Sequence, residues 1–413
     1  MAGSAKWKTL PIKELYHGLY DGPHATPKPS DAGPVLLGIK NVTDDGRLDL
    51  TEIRHIAEDD YASWTRRVEP ATNDLVFTYE ATLNRYAIIP RGFRGCLGRR
   101  MALIRTNPSK VDVRFLLYYF FTDEWRAVIQ RNVLTGATVD RIPLTTFPDF
   151  PVRVPPLHVQ QTIADTLSAY DELIENSHRR IKILESMARA LYREWFVHFR
   201  FPGHERNPHV DSKIGQIPLG WATKRVTDAV QLNPRVTVPR DGEKPFVPMG
   251  CLSNDSMLIT DIESRSGNSG AKFQNGDTLF ARITPCLENG KTGYVQFLPD
   301  EGAVAFGSTE FIVLRSASLT PEYVYCLARS DEFRSVAIKS MSGATGRQRV
   351  QERCFDEVII AQPPRSLLDT FSGIVSPSFR LIYQLHLQIQ NLRRTRDLLL
   401  PRLLSGQIEV EAA

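Results

Sequence analysis

The stretch that decides the fold is LHVQQTIADTLSAYDELIENSHRRIKILESMARALYREWFVH, residues 157–198, which directly follows Pro155 and Pro156. From Leu167 onward its apolar residues recur at alternating spacings of three and four, which are the a and d positions of a heptad repeat. At 1.5 Å per residue, such a helix is a rod of about 60 Å, longer than the usual globular helix. The pattern therefore predicts a coiled-coil helix.

A second stretch near the C-terminus repeats this pattern. Val375 lies 208 positions after Leu167, and Leu399 lies 208 positions after Leu191. Two long apolar seams in one chain indicate that the two helices pair with each other. The predicted seam consists of Leu167, Ile174, Ile181, Leu184, Leu191, Trp195, Val375, Ile382, Leu385, Ile389, Leu392 and Leu399.

The repeat extends beyond the helices. DEWR at residues 123–126 recurs as DEFR at residues 331–334, GAT at 136–138 recurs at 343–345, and Pro155-Pro156 recurs as Pro363-Pro364. Matching words at nearly constant separation indicate duplication of a whole module. We therefore predict an α+β fold in which two mixed α/β domains are separated by two long helices forming an antiparallel coiled coil, with an internal pseudo-two-fold repeat.

The same patterns give domain boundaries. We predict a first domain at 1–150, a long helix at 151–198, a connector at 199–217, a second domain at 218–362 and a second long helix at 363–406. One helix is expected at 116–129, and strands are expected at 35–39, 75–79, 86–89, 101–104, 246–249, 278–283, 293–297 and 311–314. Parallel helices would need the 19-residue connector to span the rod at almost full extension, so antiparallel pairing is favoured. The two domains are then expected at opposite ends of the pair.

Composition bounds the class of protein. The chain has 413 residues, 42% hydrophobic and 24% charged, with a net charge of +4 that alone does not prove a polyanion partner. Five scattered cysteines without a CxxC motif favour reduced thiols in a cytoplasmic protein. The N-terminal residues 1–7, MAGSAKW, lack the apolar core of a signal peptide. The longest apolar run, 115–121, is too short to cross a bilayer, so we expect no membrane partner.

Basic residues occur in two places that suit polyanion binding. In the first domain, arginines alternate with glycines and no acidic residue intervenes between 91 and 105. In the second domain, an Arg-Gln-Arg segment follows the repeated Gly-Ala-Thr, and Arg and Gln are the side chains that read guanine and adenine. The first pattern is equally consistent with a solvated surface that binds no ligand. The second is equally consistent with neutral drift on a surface loop. The candidate DNA-binding residues are Arg91, Arg94, Arg99, Arg100, Lys272, Arg282, Lys291, Arg347, Gln348 and Arg349.

The sequence contains no recognisable catalytic motif. The segment NGKT at 289–292 imitates the end of a phosphate-binding loop, but Pro285 stands where that loop requires glycine. No dinucleotide-binding fingerprint or amino-methyltransferase tetrapeptide is present. His198, His204 and His209 do not have the spacing of metal ligands. We therefore predict no catalytic residue, no cofactor and no metal site.

Three further segments carry a resemblance to a known family. YREWFVHF at 192–199, GQIPLGW at 215–221 and LLLPRLLSGQI at 398–408 resemble, in this order, segments of the specificity subunits of type I restriction-modification systems. The resemblance covers nearly the whole chain, including its duplication. Arg396 at an a position and Pro401 in the final heptad depart from an ideal seam, so we expect bending or fraying at Pro401 and a helix stop at Gly406.

The resemblance implies two target-recognition domains that bind double-stranded DNA. Because the two domains differ and a rod separates them, we expect two different half-sites with an unread gap, which is an asymmetric, bipartite target. It also implies two modification (methyltransferase) subunits that methylate adenine, and restriction (endonuclease/translocase) subunits that cleave. Apolar side chains outside the seam, Ile183, Met187 and Phe196, are then expected to bind the modification subunits, or alternatively to pack on the chain's own domains. Two other functions remain open: a self-contained DNA-modifying enzyme, and a two-domain coiled-coil scaffold that binds proteins rather than DNA.

Overall fold

The protein is described from a computed structural model, whose described residues are 7–136, 139–344 and 346–408. Outside these ranges lie residues 1–6, Ala137, Thr138 and Thr345. Parts of the N-terminal and Gly-Ala-Thr predictions fall on these residues. The chain divides into two compact units, Met1–Leu173 with Leu392–Ala413, and Ile174–Asn391. We call these the first and the second unit.

The first unit contains two sheets and a two-stranded ribbon. Its strands are β1 (Lys8–Pro11), β2 (Tyr16–Asp21), β3 (Ser30–Leu37), β4 (Arg54–His55), β5 (Leu75–Thr78), β6 (Tyr86–Ile88), β7 (Gly95–Leu97), β8 (Met101–Thr106) and β9 (Pro151–Val154), and its helices are α1 (Tyr61–Trp64), α2 (Val113–Phe120), α3 (Asp123–Asn132) and the start of α4 (Leu157–Tyr192). One sheet has the order β2-β8-β5-β6, the other has the order β4-β3-β7, and β1 pairs with β9.

The second unit repeats this plan in the same chain order. Its strands are β10 (His209–Ser212), β11 (Gly215–Pro218), β12 (Ala222–Arg225), β13 (Val230–Leu232), β14 (Lys244–Val247), β15 (Glu263–Arg265), β16 (Ala271–Gln274), β17 (Thr278–Ala281), β18 (Thr292–Tyr294), β19 (Val304–Gly307), β20 (Phe311–Ser316) and β21 (Ile359–Gln362), and its helices are α5 (Val226–Ala229), α6 (Pro321–Arg329), α7 (Asp331–Lys339) and most of α8 (Arg365–Ser405). The sheets have the orders β13-β20-β17-β18 and β15-β14-β19-β16, and β12 pairs with β21.

Each unit is built around a buried core with the same ion pair. In the first unit, Trp125 stacks on Phe120 and donates from Nε1 to the Tyr86 hydroxyl at 2.9 Å. Asp74, directly before β5, accepts from Nε and Nη2 of Arg105 on β8 at 2.9 and 2.7 Å. A corresponding pair stands in the second unit beside β17 and on β20, where Asp277 accepts from Arg315 at 2.7 and 2.6 Å. The duplication therefore includes a buried aspartate paired with a partly exposed arginine, as well as the strand order.

The long helices pair in an antiparallel sense within each unit. In the first unit, Ile163 and Leu167 near the start of α4 share a core with Leu403 and Leu404 at the end of α8. In the second unit, Trp195, just beyond the end of α4, lies 6.1 Å from the Phe371 ring near the start of α8. The start of one long helix thus lies beside the end of the other.

All twelve predicted seam residues are at least half-buried. Eight are buried and four, Leu184, Leu191, Leu392 and Leu399, are half-buried. Arg396 is tolerated among them because its Nη1 lies 2.5 Å from Asp171 and its Nη2 lies 2.8 Å from Asp397. Helix α8 continues through Pro401 to Ser405, so the predicted fraying at this proline is wrong. Gly406 follows in the left-handed conformation at φ +75°, as predicted for a helix stop.

The structure refines several local predictions. The helix expected at 116–129 is two helices, because Thr122 caps a new one by accepting from the Trp125 N–H. The first long helix leaves α-geometry after Tyr192 and ends in a π-helical turn, Arg193–Val197. The connector, whose sequence shows no period over 199–210, contains β10 and most of β11.

Phe196 is not the exposed partner-binding residue that the sequence suggested. Its side chain is only 5% exposed, and its ring lies 4.8 Å from Tyr323 and 4.9 Å from Phe371. The π-helical turn directs this ring into the core of the second unit, where an aromatic cluster covers it. All five cysteines are free thiols. Within the described residues, we find no helix with the length and apolarity needed to cross a bilayer.

Candidate nucleic-acid interface

The residues that flank the repeated Gly-Ala-Thr segments are paired in the same way in both units. In the first unit the loop is closed by hydrogen bonds between the backbones of Leu134 and Arg141, at 3.0 and 3.3 Å. In the second unit Ser342 and Arg349, each 208 positions later in the chain, form the same pair of bonds at 3.1 and 2.9 Å. The duplication therefore places Arg349 and Arg141 at equivalent ends of two loops.

Arg349 is held at the base of its loop by an acidic residue. Its Nε lies 2.9 Å from Oε2 of Glu310, and its Nη2 lies 2.6 Å from Oε1. The hydrogen bond from Arg349 lowers the pKa of the Glu310 carboxyl below its ordinary value. Since both partners are partly exposed, this pair orients the guanidinium more than it stabilises the fold.

The neighbouring residues of the loop have different roles. The Gln348 backbone is fixed by two hydrogen bonds with Thr284. The Thr284 N–H donates to the Gln348 carbonyl, and the Gln348 N–H donates to the Thr284 hydroxyl, both at 3.0 Å. Arg347 is exposed, and its guanidinium has no hydrogen-bond partner within the described part of the chain. Of the three predicted loop residues, Arg347 therefore presents its charge most freely to a ligand.

The other predicted residues of the second unit differ in availability. Arg282 forms an ion pair with Glu352 at 2.8 Å and donates to the Val350 carbonyl at 3.3 Å, so it braces the end of the loop. Lys291 donates to the carbonyls of Met249 and Leu252 at 3.1 and 2.9 Å, which fixes a turn. Lys272 lies half-buried on β16.

The four predicted arginines of the first unit also divide into side chains held by an acidic residue and side chains that are exposed. Arg94 is bound to Glu58 and stacks over Tyr61 at 4.5 Å. Arg100 has its Nε 3.6 Å from Oε2 of Glu80. Arg91 and Arg99 are exposed, and neither side chain has an ion-pair partner among the residues described. All ten predicted residues remain candidates, with differing freedom to meet a ligand.

The second unit has two neighbouring concavities that the sequence prediction largely missed. They have volumes of about 670 and 510 Å³, and Thr309 lines both. Among the residues described, no acidic side chain lines either concavity. The basic lining residues are Arg240 and Arg265 in the larger concavity and Arg235, Lys272 and Arg282 in the smaller. Arg235 and Arg240 lie in the proline-containing segment 233–240. This segment has two arginines and no acidic residue, which is the sequence feature that could have identified them as candidates.

A comparable concavity of about 430 Å³ lies in the first unit. Its lining contains the basic residues Lys40, Arg54, Arg99 and Arg100 and one acid, Glu52. Concave, basic surfaces attract a polyanion because they concentrate positive potential. Duplex DNA is the biological polyanion whose phosphate spacing and base edges suit arginine.

Within the described residues, no metal site offers an alternative to nucleic-acid binding. Within them, no group of three or more histidine, cysteine or acidic side chains is placed to bind an ion. The connector histidine His204 lies 2.9 Å from the Phe201 carbonyl, while the His209 ring packs on Phe199 at 6.1 Å.

Comparison with known proteins gives one consistent family. The family model "Type I restriction modification DNA specificity domain" matches residues 64–186. The chain is 25% identical over 318 residues to the type I restriction enzyme MjaIX specificity subunit of Methanocaldococcus jannaschii, covering 74% of this chain and 71% of that protein. It is 31% identical over 176 residues to the EcoEI specificity subunit of Escherichia coli, covering 40% of this chain and 29% of that protein.

A solved structure shares the fold over nearly the whole chain. The crystal structure of a type I restriction-modification S subunit from M. genitalium superposes with a TM-score of 0.59, covering 98% of this chain and 97% of that one at 14% identity. At this identity the likeness concerns the fold.

Proposed function

The chain belongs to the family of type I restriction-modification specificity subunits, and on that premise we propose that it recognises a DNA sequence for a methylation and restriction complex. The observation that carries the proposal is the basic, concave surface of each unit. In the second unit five basic residues line two concavities without an acid. Such a surface binds duplex DNA by releasing counterions from its phosphates.

The difference between the two units supports an asymmetric, bipartite target. We propose that residues 1–150 and 218–362 are the two target-recognition domains, with the long helices at 151–198 and 363–406 and the connector at 199–217. Gln348 and Arg349 follow Arg347 in one loop, where the other loop has Val139, Asp140 and Arg141. Different side chains on equivalent loops favour two different half-sites.

We assign methyl transfer and cleavage to partner subunits. Methylation of an adenine requires the base to be turned out of the stack, and we propose that two modification subunits do this while the present chain holds the DNA. Restriction subunits would join the same complex. A surface available to the modification subunits lies on α4, where Ile183 and Met187 are 50% and 62% exposed and share one helix face at a spacing of four.

The direct test is a methylation map of the host genome with and without this gene. We expect modified adenines at one bipartite sequence, lost on deletion and restored by the intact gene. An unchanged map would contradict the proposal. Duplex binding by the complex with the modification subunits should weaken steeply with salt. Salt-independent binding of proteins would instead favour the scaffold, and methyl transfer by the purified chain alone would favour a self-contained enzyme.

A further inference from the structure

A concavity of one construction occurs in both units. In the first unit it lies where the parallel strands β3 and β7 end, with Leu36 opposite Cys96. In the second unit the larger concavity lies where β14 and β19 end, with Phe246 opposite Phe306. The carboxyl ends of parallel strands are a common place for ligands because the following loops diverge there.

The walls of the two concavities share equivalent positions on the ends of the paired strands. Five lining positions of the first recur 210 positions later in the lining of the second. They are Leu36 and Phe246, Gly38 and Pro248, Ile39 and Met249, Gly98 and Ser308, and Arg99 and Thr309. The same backbone frame has therefore been kept in both units.

The chemistry on this frame differs at equivalent positions. Across the neighbouring strand, Leu36 faces Arg54 in the first unit, whereas Phe246 faces Glu263 in the second. An exposed cation in one unit is thus replaced by an acid in the other, and Arg99 is replaced by Thr309. A constant frame with altered charge is what two readers of different half-sites require.

Arg265 is fixed in the concavity of the second unit. Its guanidinium carbon lies 4.0 Å from the centre of the Phe246 ring. Its Nε and Nη2 lie 2.7 and 2.6 Å from Oε2 of Glu263. A planar guanidinium fixed by stacking and an ion pair loses little freedom on binding, and its remaining donors suit the edge of a guanine.

Arg240 lines the same concavity without such support. Its carbonyl accepts from the Gly267 N–H at 3.0 Å, which places its backbone at the rim. Its side chain is exposed and has no partner within the described ranges. An exposed cation without a fixed partner suits a backbone phosphate, which needs charge more than fixed orientation.

We propose that this repeated concavity is the part of each unit that takes its half-site of duplex DNA. In the second unit Arg265 reads a base edge and Arg240 binds a phosphate. In the first unit Arg54 and Arg99 occupy the corresponding surface. The inference rests on the proposed function and adds to it the position of the DNA and the roles of four residues.

The test uses the full chain assembled with its modification subunit and a set of duplexes in which each half-site is substituted base by base. Arg265→Ala should reduce discrimination at one base pair of one half-site by about tenfold or more, with the other half-site unaffected. Arg265→Lys keeps the charge without the planar fork and should lose the same discrimination. Arg54→Ala should alter preference only in the other half-site.

Arg240→Ala has a different expected signature. It should weaken matched and mismatched duplexes by the same factor and lower the slope of binding against salt by about one. Lys213→Ala removes one exposed charge from the β10–β11 turn and serves as the matched control, with discrimination and slope unchanged. Circular dichroism and melting temperature check that each variant folds.

The outcomes separate the inference from the function it rests on. If the native complex prefers no sequence, the proposed function fails. If the native complex discriminates and the Arg265 variants discriminate equally well, the concavity does not read bases and the inference alone is overturned. Uniform weakening by Arg265→Ala, or a change in both half-sites by Arg54→Ala, overturns it as well.

Discussion

The hydroxyl of Tyr325 donates a hydrogen bond to the carboxylate of Glu185 inside the second unit. Glu185 is 3% exposed, and its other oxygen accepts from the Met257 N–H at 2.9 Å. Burial, followed by the charge of Glu185, raises the pKa of Tyr325 well above its ordinary value. One carboxylate of α4 therefore fixes the long helix to the body of this unit through two buried bonds.

Replacing this carboxylate should destabilise the second unit. Glu185→Ala leaves two buried donors without an acceptor, and we expect the free energy of unfolding to fall by about 2–4 kcal/mol. Urea unfolding of the full chain measures the change. Glu172→Ala, at an exposed position of the same helix, should change stability by less than about 0.5 kcal/mol. Equal effects of the two variants would refute the anchoring role.

The repeated ion pair should matter far more than a pair on the surface. Asp277 is almost completely buried beside Arg315, so Asp277→Ala leaves a largely buried guanidinium without its counter-ion. We expect a loss of about 3 kcal/mol or more in unfolding free energy. Asp369→Ala breaks an exposed pair with Arg365 and should cost less than about 1 kcal/mol. Thermal unfolding of both variants under the same buffer decides the question.

Alkaline pH should weaken the first unit. Burial is the main cause that raises the pKa of Tyr79 to about 12, against about 10 in an unfolded chain. The unfolded state therefore loses this proton first, so its contribution to stability is present below about pH 10 and is lost as pH rises to about 12, at about 1.4 kcal/mol per pH unit. Tyr79→Phe should make the melting temperature fall less steeply across this window. The same steepness in both proteins would contradict the assignment.

The loop arginines should affect a single half-site. Arg347→Ala and Arg349→Ala are each expected to cost about 1–3 kcal/mol of discrimination there if they read base edges. Binding of duplexes with either half-site substituted measures this, and equal weakening on all duplexes would mark both residues as phosphate contacts instead. Glu310→Gln removes the acid that holds Arg349 and should tighten duplex binding at low salt without improving discrimination.

Helix length should set the unread gap between the half-sites. Adding one heptad to each long helix lengthens it by about 10 Å, which corresponds to about three base pairs. We expect the methylated sequence to keep both half-sites and to gain a longer gap. Methylation mapping in a host that carries the lengthened gene measures this, and an unaltered gap would show that helix length does not set the distance between the half-sites.

Sequence periodicity predicted the long helices because a heptad seam is a local pattern that tertiary packing reinforces. Leu167, Ile174 and Ile181 are buried at the predicted spacing. The same periodicity failed at Thr122 and Phe196, where a capping hydroxyl and a π-helical turn change the direction of the chain. Such features depend on one side chain or one backbone bond, which a pattern of apolar residues does not register.

The concavities illustrate a second limit. Arg240 and Arg265 are far apart in sequence, and strand pairing between β14 and β15 brings their surroundings together. Charge density along the sequence therefore favoured Arg94 and Arg282, which the fold uses for ion pairs with Glu58 and Glu352. The segment with Arg347 could be singled out from the sequence because it follows the repeated Gly-Ala-Thr.

The division of the chain has a consequence for its synthesis on the ribosome. The second unit is one continuous segment, whereas the core of the first unit includes Leu403 and Leu404. At about 5–20 residues per second these leucines are synthesised roughly 10 to 50 seconds after residue 173. The unit that is begun first is thus completed last, and during that interval we expect the apolar side chains that Leu403 and Leu404 later cover to be accessible to chaperones.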